Sequence, residues 1–144
     1  MSVCTFFGHH NCPATVKPKL RAVLVELIER QGVDTFYVGR QGAFDILVRS
    51  VLREMTEIYP HITYSVVLER LPPCRPGEDY SDTIFPEGME HAIPRFAISK
   101  RNEWMLKQAD VVVTYITHDW GGATRYAEKA ERQGKTVINL AQKY

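Results

Sequence analysis

The chain has 144 residues, 44% of them hydrophobic and 24% charged, with a formal net charge of +1. That length suits one domain built around one core, so residues 1–144 are read as a single domain. The near-zero charge argues against a general polyanion binder, and no apolar run approaches the roughly 20 residues of a membrane span.

Residues 3–7 read as a short apolar strand closed by Gly8, with a turn over His9, His10, Asn11, Cys12 and Pro13. From about Thr15 to Arg30, the residues Val16, Leu20, Val23, Leu24, Leu27 and Ile28 recur at helical spacing and define one apolar face. Pro18 falls in the first turn, where its missing N–H does no harm, and Gly32 is placed to end the helix. Thr35 to Val38 is a second strand, followed by Gly39-Arg40-Gln41-Gly42. A second amphipathic helix carries Phe44, Leu47, Val48, Val51, Leu52 and Met55 and stops near Tyr59-Pro60. Ile62 to Leu68 reads as a third strand. This β-α-β-α-β order predicts parallel strands joined by right-handed crossovers.

Residues 69–94 break the rhythm, because Pro72, Pro73, Pro76, Pro86 and Pro94 with Gly77 and Gly88 exclude a long regular element. Such a connection is usually a lid, a binding loop or a partner contact. Phe96 to Ala109 is a third helix, with Ile98, Asn102, Met105, Leu106 and Ala109 facing inward. Ala109 to Ile116 then forms a β-branched, nearly uncharged run, as a strand buried on both faces reads. It leads through Thr117-His118-Asp119-Trp120-Gly121-Gly122 into a fourth helix that ends near Gln133. Thr136 to Leu140 is a fifth strand.

The fold class expected is α/β: a Rossmann-like, three-layer α/β/α domain with a five-stranded parallel sheet in the order 3-2-1-4-5. Chain direction across such a sheet reverses between the first and fourth strands, and ligands sit at that switch point, outside the carboxyl ends of the strands. The flanking loops are Gly8-His9-His10 and Thr117 to Gly122, with Gly39 to Asp45 next along. Each carries glycine, which permits close backbone approach to a phosphate. A Gly-Gly turn entering a helix also offers backbone N–H groups and the positive end of the helix dipole.

The candidate ligand-binding residues are therefore Gly8, His9, Gly39, Arg40, Gly42, Asp45, Arg101, Asn102, Trp120, Gly121, Gly122 and Thr124. Asp45 would accept hydrogen bonds from a ribose or base, or serve the helix dipole. Arg101, with Arg40 and Arg95 as weaker versions, would clamp phosphate through its two-pronged guanidinium, or lie solvated on its helix. Asn102 would tie two loops together. Trp120 would cover or stack on a base, or pack in the core as Trp104 would. His9, His10, Cys12 and His118 match no usual zinc spacing, so no metal site is expected. Cys4 reads as a core thiol and Cys74 as a loop thiol. The three cysteines, an odd number, and the lack of a charged, long-apolar leader in Met1 to Gly8 point to a reducing cytoplasm.

Three patterns resemble the SLOG superfamily, more narrowly its YpsA-like branch: Gly39-x-x-Gly42-x-x-Asp45, Arg101-Asn102 and Gly121-Gly122-x-Thr124. The helix pattern Tyr126-x-x-Lys129-Ala130 joins them, and the similarity runs from Cys4 to Leu140. That superfamily has a Rossmann-like fold and includes cytokinin-activating phosphoribohydrolases, the DNA-processing protein DprA and nucleotide-ligand sensors. The resemblance implies binding of a nucleotide- or NAD-derived small molecule such as an ADP-ribose compound, in a bacterial or phage protein. Its hydrolases carry Gly-Gly-x-Gly-Thr-x-x-Glu, and here that glutamate position falls on Ala127. Glu128 lies one residue on, roughly 100° around the helix, where a carboxylate is aimed off the cleft.

The leading expectation is thus a non-catalytic domain that senses or sequesters a nucleotide-derived ligand, with no cofactor. The alternative is an N-glycosidase acting on a nucleotide, with Asp45, Asp119 and Glu87 as acid–base candidates. A DprA-like single-stranded DNA binder is the minor alternative. Nucleic acid is disfavoured on charge and on the lack of a basic aromatic groove. No membrane partner is expected, and a homo-oligomer packed through residues 69–94 stays open.

Overall fold

Strand β1 (Val3–Gly8) is the centre of the molecule. Its residues alternate between two cores. Cys4 and Phe6 face one layer of helices, whereas Phe7 faces the other. In this computed structural model, which describes residues 1–73 and 75–141, β1 pairs in parallel with β2 (Thr35–Val38) on one side and β5 (Val111–Tyr115) on the other. Beyond β2 lies β3 (Thr63–Val67), and beyond β5 lies β6 (Thr136–Asn139). The sequence expectation for Cys74 falls outside the described residues.

The sheet has six strands, not the expected five, in the order β4-β3-β2-β1-β5-β6. The added strand, β4 (Thr83–Ile84), runs parallel to β3 with Val66 opposite Thr83 and Val67 opposite Ile84. It lies within the proline-rich stretch and is anchored from its flank. Arg49 donates twice to the Asp82 carboxylate, at 2.9 and 2.6 Å, and the Tyr64 hydroxyl adds a bond of 2.8 Å. The inner five strands keep the expected order.

Helices α1 (Lys17–Arg30) and α2 (Gly42–Ile58) cover one face. There Leu20, Leu24, Leu27, Phe44, Val48, Val51, Leu52 and Met55 pack on Phe6, Phe36 and Val113. Helices α3 (Ala97–Gln108) and α4 (Gly122–Arg132) cover the other face, with Met105, Leu106, Tyr126 and Ala130 against Phe7 and Val112. The result is the three-layer arrangement that alternating strands and amphipathic helices dictate. Ile98 departs from expectation: it is 46% exposed, because α3 starts only at Ala97 and its first turn overhangs the rim of the sheet. No helix among the described residues is long and apolar enough to cross a membrane.

Candidate functional site

The carboxyl ends of β1 and β5 open onto a cavity of about 460 Å³. Its floor is apolar, from Phe6, Phe7, Met105 and Ile98. Its walls carry Gly8, His9, His10, Gln41, Asp45, Asn102, His118, Trp120, Gly121 and Gly122. Eight of the twelve candidate residues therefore line one space: Gly8, His9, Asp45, Asn102, Trp120, Gly121 and Gly122 directly, and Gly39 through its contact with Asp45.

The glycines divide by what they touch. A Cβ on Gly8 would stand 2.2 Å from the Phe44 ring, and one on Gly39 would stand 2.9 Å from both the Arg101 guanidinium and Asp45 Oδ2. Gly42 has φ +82°, and a Cβ there would meet the His10 backbone at 2.7 Å. These three are explained by packing. Gly121 and Gly122 differ, since nothing lies within 4 Å of a Cβ on Gly122 and only His118, at 3.9 Å, approaches one on Gly121. Gly121, at φ +101° and ψ 173°, occupies the N-cap of α4 and makes no side-chain capping bond. The first-turn amides of a helix have no intrahelical acceptor, so this open end is suited to an anion.

Thr124, read as a ligand contact, instead holds the loop. Its Oγ1 lies 2.9 Å from the His118 carbonyl and 3.1 Å from that of Trp120. Asn139, unnoticed in the sequence, steadies the end of β5: its amide donates to the Ile116 carbonyl at 3.0 Å and accepts from the Ile116 N–H at 3.0 Å. On this support three rings stack in sequence. His9 and His118 lie 3.6 Å apart at 13°, and His118 and Trp120 lie 3.8 Å apart at 16°. His118 Nδ1 is 2.9 Å from the Trp120 carbonyl, and since a carbonyl only accepts, Nδ1 carries the hydrogen. Burial, then the neighbouring His118 and His10, pull His9 below its ordinary pKa. His9 Nε2 is the one buried side-chain nitrogen or oxygen among the described residues that lacks a hydrogen-bond partner. Trp120 is 68% exposed, so the outer face of the stack is open rather than packed in the core.

Arg101 does not stand free to clamp phosphate. It is 2% exposed, and its fork is engaged: Nε with Asn102 Oδ1 at 2.8 Å, Nη1 with the Val67 carbonyl at 3.2 Å, Nη2 with Gln41 Oε1 at 2.6 Å. Glu69 Oε2 adds an ion pair at 3.5 Å from Nη1. Arg40 points away from the cavity and binds both Glu69 oxygens, at 3.1 to 3.2 Å from Nε and 2.8 Å from Nη2. Burial would raise Glu69, but these bonds hold it below its ordinary value. Gln41 and Glu69, both missed in the sequence, are the partners that turn two arginines into struts.

Asp45 is 9% exposed, and burial pushes its carboxyl up to about 6, against the pull of the Gln41 N–H, Arg101 and His10. Its Oδ2 accepts from the Gln41 backbone N–H at 2.9 Å, while no described residue hydrogen-bonds Oδ1. Glu128 is exposed and lines a shallow hollow outside the cavity with Trp120, Gly121, Gly122 and Arg125, whereas Ala127 is buried. Among the described residues, no group of three or more His, Cys, Asp or Glu side chains is gathered as a metal would require.

No protein-family model matches the chain, and no curated protein sequence does. Solved structures with the same fold include DNA processing protein A from Streptococcus pneumoniae, at 13% identity and a TM-score of 0.71 over 96% of this chain and 50% of that one. DNA processing protein A from Helicobacter pylori, described in its single-stranded DNA binding mode, aligns at 14% identity and a TM-score of 0.66 over 99% of this chain and 66% of that one. The chain thus spans half to two thirds of the length of these neighbours, and the likeness is one of Rossmann-like fold. These neighbours overturn the expectation that leads with a nucleotide- or NAD-derived small molecule, and nucleic acid returns as a candidate partner. The physical reason is that net charge averages over the surface. Much of the charge here is consumed in pairs such as Arg40–Glu69, Arg49–Asp82 and Lys129–Glu103, which say nothing about the rim. No comparison carries the YpsA-like branch, an ADP-ribose ligand or a phage origin.

Proposed function

We propose that this chain binds single-stranded DNA at the carboxyl rim of its sheet, and that residues 1–144 act as one binding domain of the superfamily that the sequence resembles. A phosphate sits on the open N-terminus of α4 at Gly121-Gly122, with Arg125 of the same turn beside the strand. A base stacks on the outer face of Trp120. The observation that carries this reading is the exposed Trp120, stacked on His118 and His9 next to an uncapped helix end. Aromatic platforms with backbone amides and cations are how single strands are held without base pairing, because every base presents a π-face. The fold shared with a protein described in a single-stranded DNA binding mode supports the reading.

Fluorescence anisotropy of labelled oligothymidine, titrated at several salt concentrations, tests it. Binding that weakens with salt and is lost in Trp120→Ala is expected. Absence of binding at low salt, or binding indifferent to Trp120→Ala, would overturn the proposal.

A further inference from the structure

We infer that the cavity beside the Trp120 stack takes one guanine turned out of the DNA single strand, its N1–H and 2-amino group on the Asp45 carboxylate and its O6 on the Asn102 side-chain amide. This rests on the single-stranded DNA reading and adds a base preference to it.

Two polar ends are fixed in orientation on the cavity wall. Arg101 Nε donates to Asn102 Oδ1 at 2.8 Å, so the oxygen of that amide is committed and its NH₂ is the end left for a ligand. Asp45 Oδ2 is committed to the Gln41 N–H at 2.9 Å, which leaves Oδ1 without a hydrogen bond from any described residue. The cavity therefore offers a donor amide and an acceptor carboxylate above the apolar floor of Phe7, Met105 and Ile98. Its volume of about 460 Å³ falls in the range, roughly 300–1,000 Å³, of pockets that bury a small organic ligand.

Among the DNA bases, guanine alone presents two adjacent donors beside an acceptor along its pairing edge. Adenine would put its N1 lone pair, and cytosine its N3 and O2, against the carboxylate. Thymine brings a single N–H flanked by two carbonyls. A buried acceptor facing another acceptor leaves both desolvated and unpaired, which is how sites of this kind reject the wrong base. A single strand has no partner strand to be unpaired from, so turning one base out costs little beyond unstacking.

Anisotropy is read for oligothymidine, for the same strand with one central guanine, and for strands with adenine or hypoxanthine there instead. The guanine strand is expected to bind about tenfold tighter than oligothymidine, in line with one bidentate base contact. The adenine strand should match oligothymidine, and hypoxanthine, which lacks the 2-amino group, should fall between. In Asp45→Asn the guanine-to-thymine affinity ratio is expected to drop to near one. The hypoxanthine strand needs no protein variant, so the test stands even where that substitution alters the rim. Equal affinity for all four strands would overturn the guanine site and leave the DNA reading intact. Binding of none would overturn both.

Discussion

Asp45→Asn is expected to stabilise the protein at alkaline pH and to do nothing at acid pH. The folded carboxyl titrates at about 6, against 3.8 for an unperturbed one, with burial as the main cause. Each pKa unit is worth about 1.4 kcal/mol, so holding the ionised form in the fold costs about 3 kcal/mol relative to the neutral form. The sign follows from proton counting. Between pH 3.8 and about 6 the folded state binds the proton that the unfolded state releases. Stability therefore rises as pH falls through that window, and the penalty is complete above it. Asparagine keeps the shape and can still accept from the Gln41 N–H, but never ionises. Urea melts of the parent and Asp45→Asn at pH 8 should differ by about 1–3 kcal/mol in favour of the variant, and the difference should vanish near pH 4. A variant less stable than the parent by the same amount at both pH values would refute the reasoning. It would show that attraction to Arg101 outweighs the loss of hydration.

Trp120→Ala should weaken single-stranded DNA binding by about 1–3 kcal/mol, the worth of one base–aromatic stack, while leaving the melting temperature nearly unchanged because the ring is exposed. Gly8→Ala drives a methyl into the Phe44 ring, and a loss of about 1–3 kcal/mol in a urea melt is expected. Gly122→Ala meets no atom within 4 Å and should leave the melt unaltered, so a large loss there would contradict the open helix end. Arg101→Ala strips partners from Gln41, Asn102 and Glu69 at once, and removal of one member of a buried charged set costs about 3–5 kcal/mol. The guanine preference should fade as Asp45 is protonated between pH 7.5 and 5, with Arg101 and His10 as the charged groups that face it. A preference constant over that range counts against the carboxylate as its source.

The helices and inner strands were legible because their signal is local. Leu20, Leu24, Leu27 and Ile28 on α1 and the β-branched run of β5 are buried because their spacing lets no other face be buried. Strand β4 was not legible, because two residues between Asp82 and the following Phe85-Pro86 show no alternation to read. It exists through Asp82, whose partners Arg49 and Tyr64 lie 33 and 18 residues away. The loops that meet at the rim followed from topology alone. What each side chain does there did not. Whether Arg101 clamps a ligand or braces a wall depends on Gln41, which is 60 residues distant in sequence. Whether Gly8 is a ligand glycine or a packing glycine depends on where Phe44 lands.

The rim separates into groups that are spent and groups that are not. Gly8, Gly39, Gly42, Arg40, Arg101 and Thr124 are consumed in building it, each with a named partner inside the protein. His9 Nε2, Asp45 Oδ1 and the uncapped first turn of α4 are unspent, and all border one cavity. Folding normally pairs buried polar groups, because an unpaired one loses its water and gains nothing. Three unmet needs dispersed over a surface would be imperfections of packing. Gathered on one wall, with an acceptor, an anion-seeking helix end and an open aromatic face, they describe the chemistry of what the cavity holds. A polymer of phosphates and bases meets all of them together, whereas an inorganic anion would meet only the helix end and leave Asp45 facing like charge.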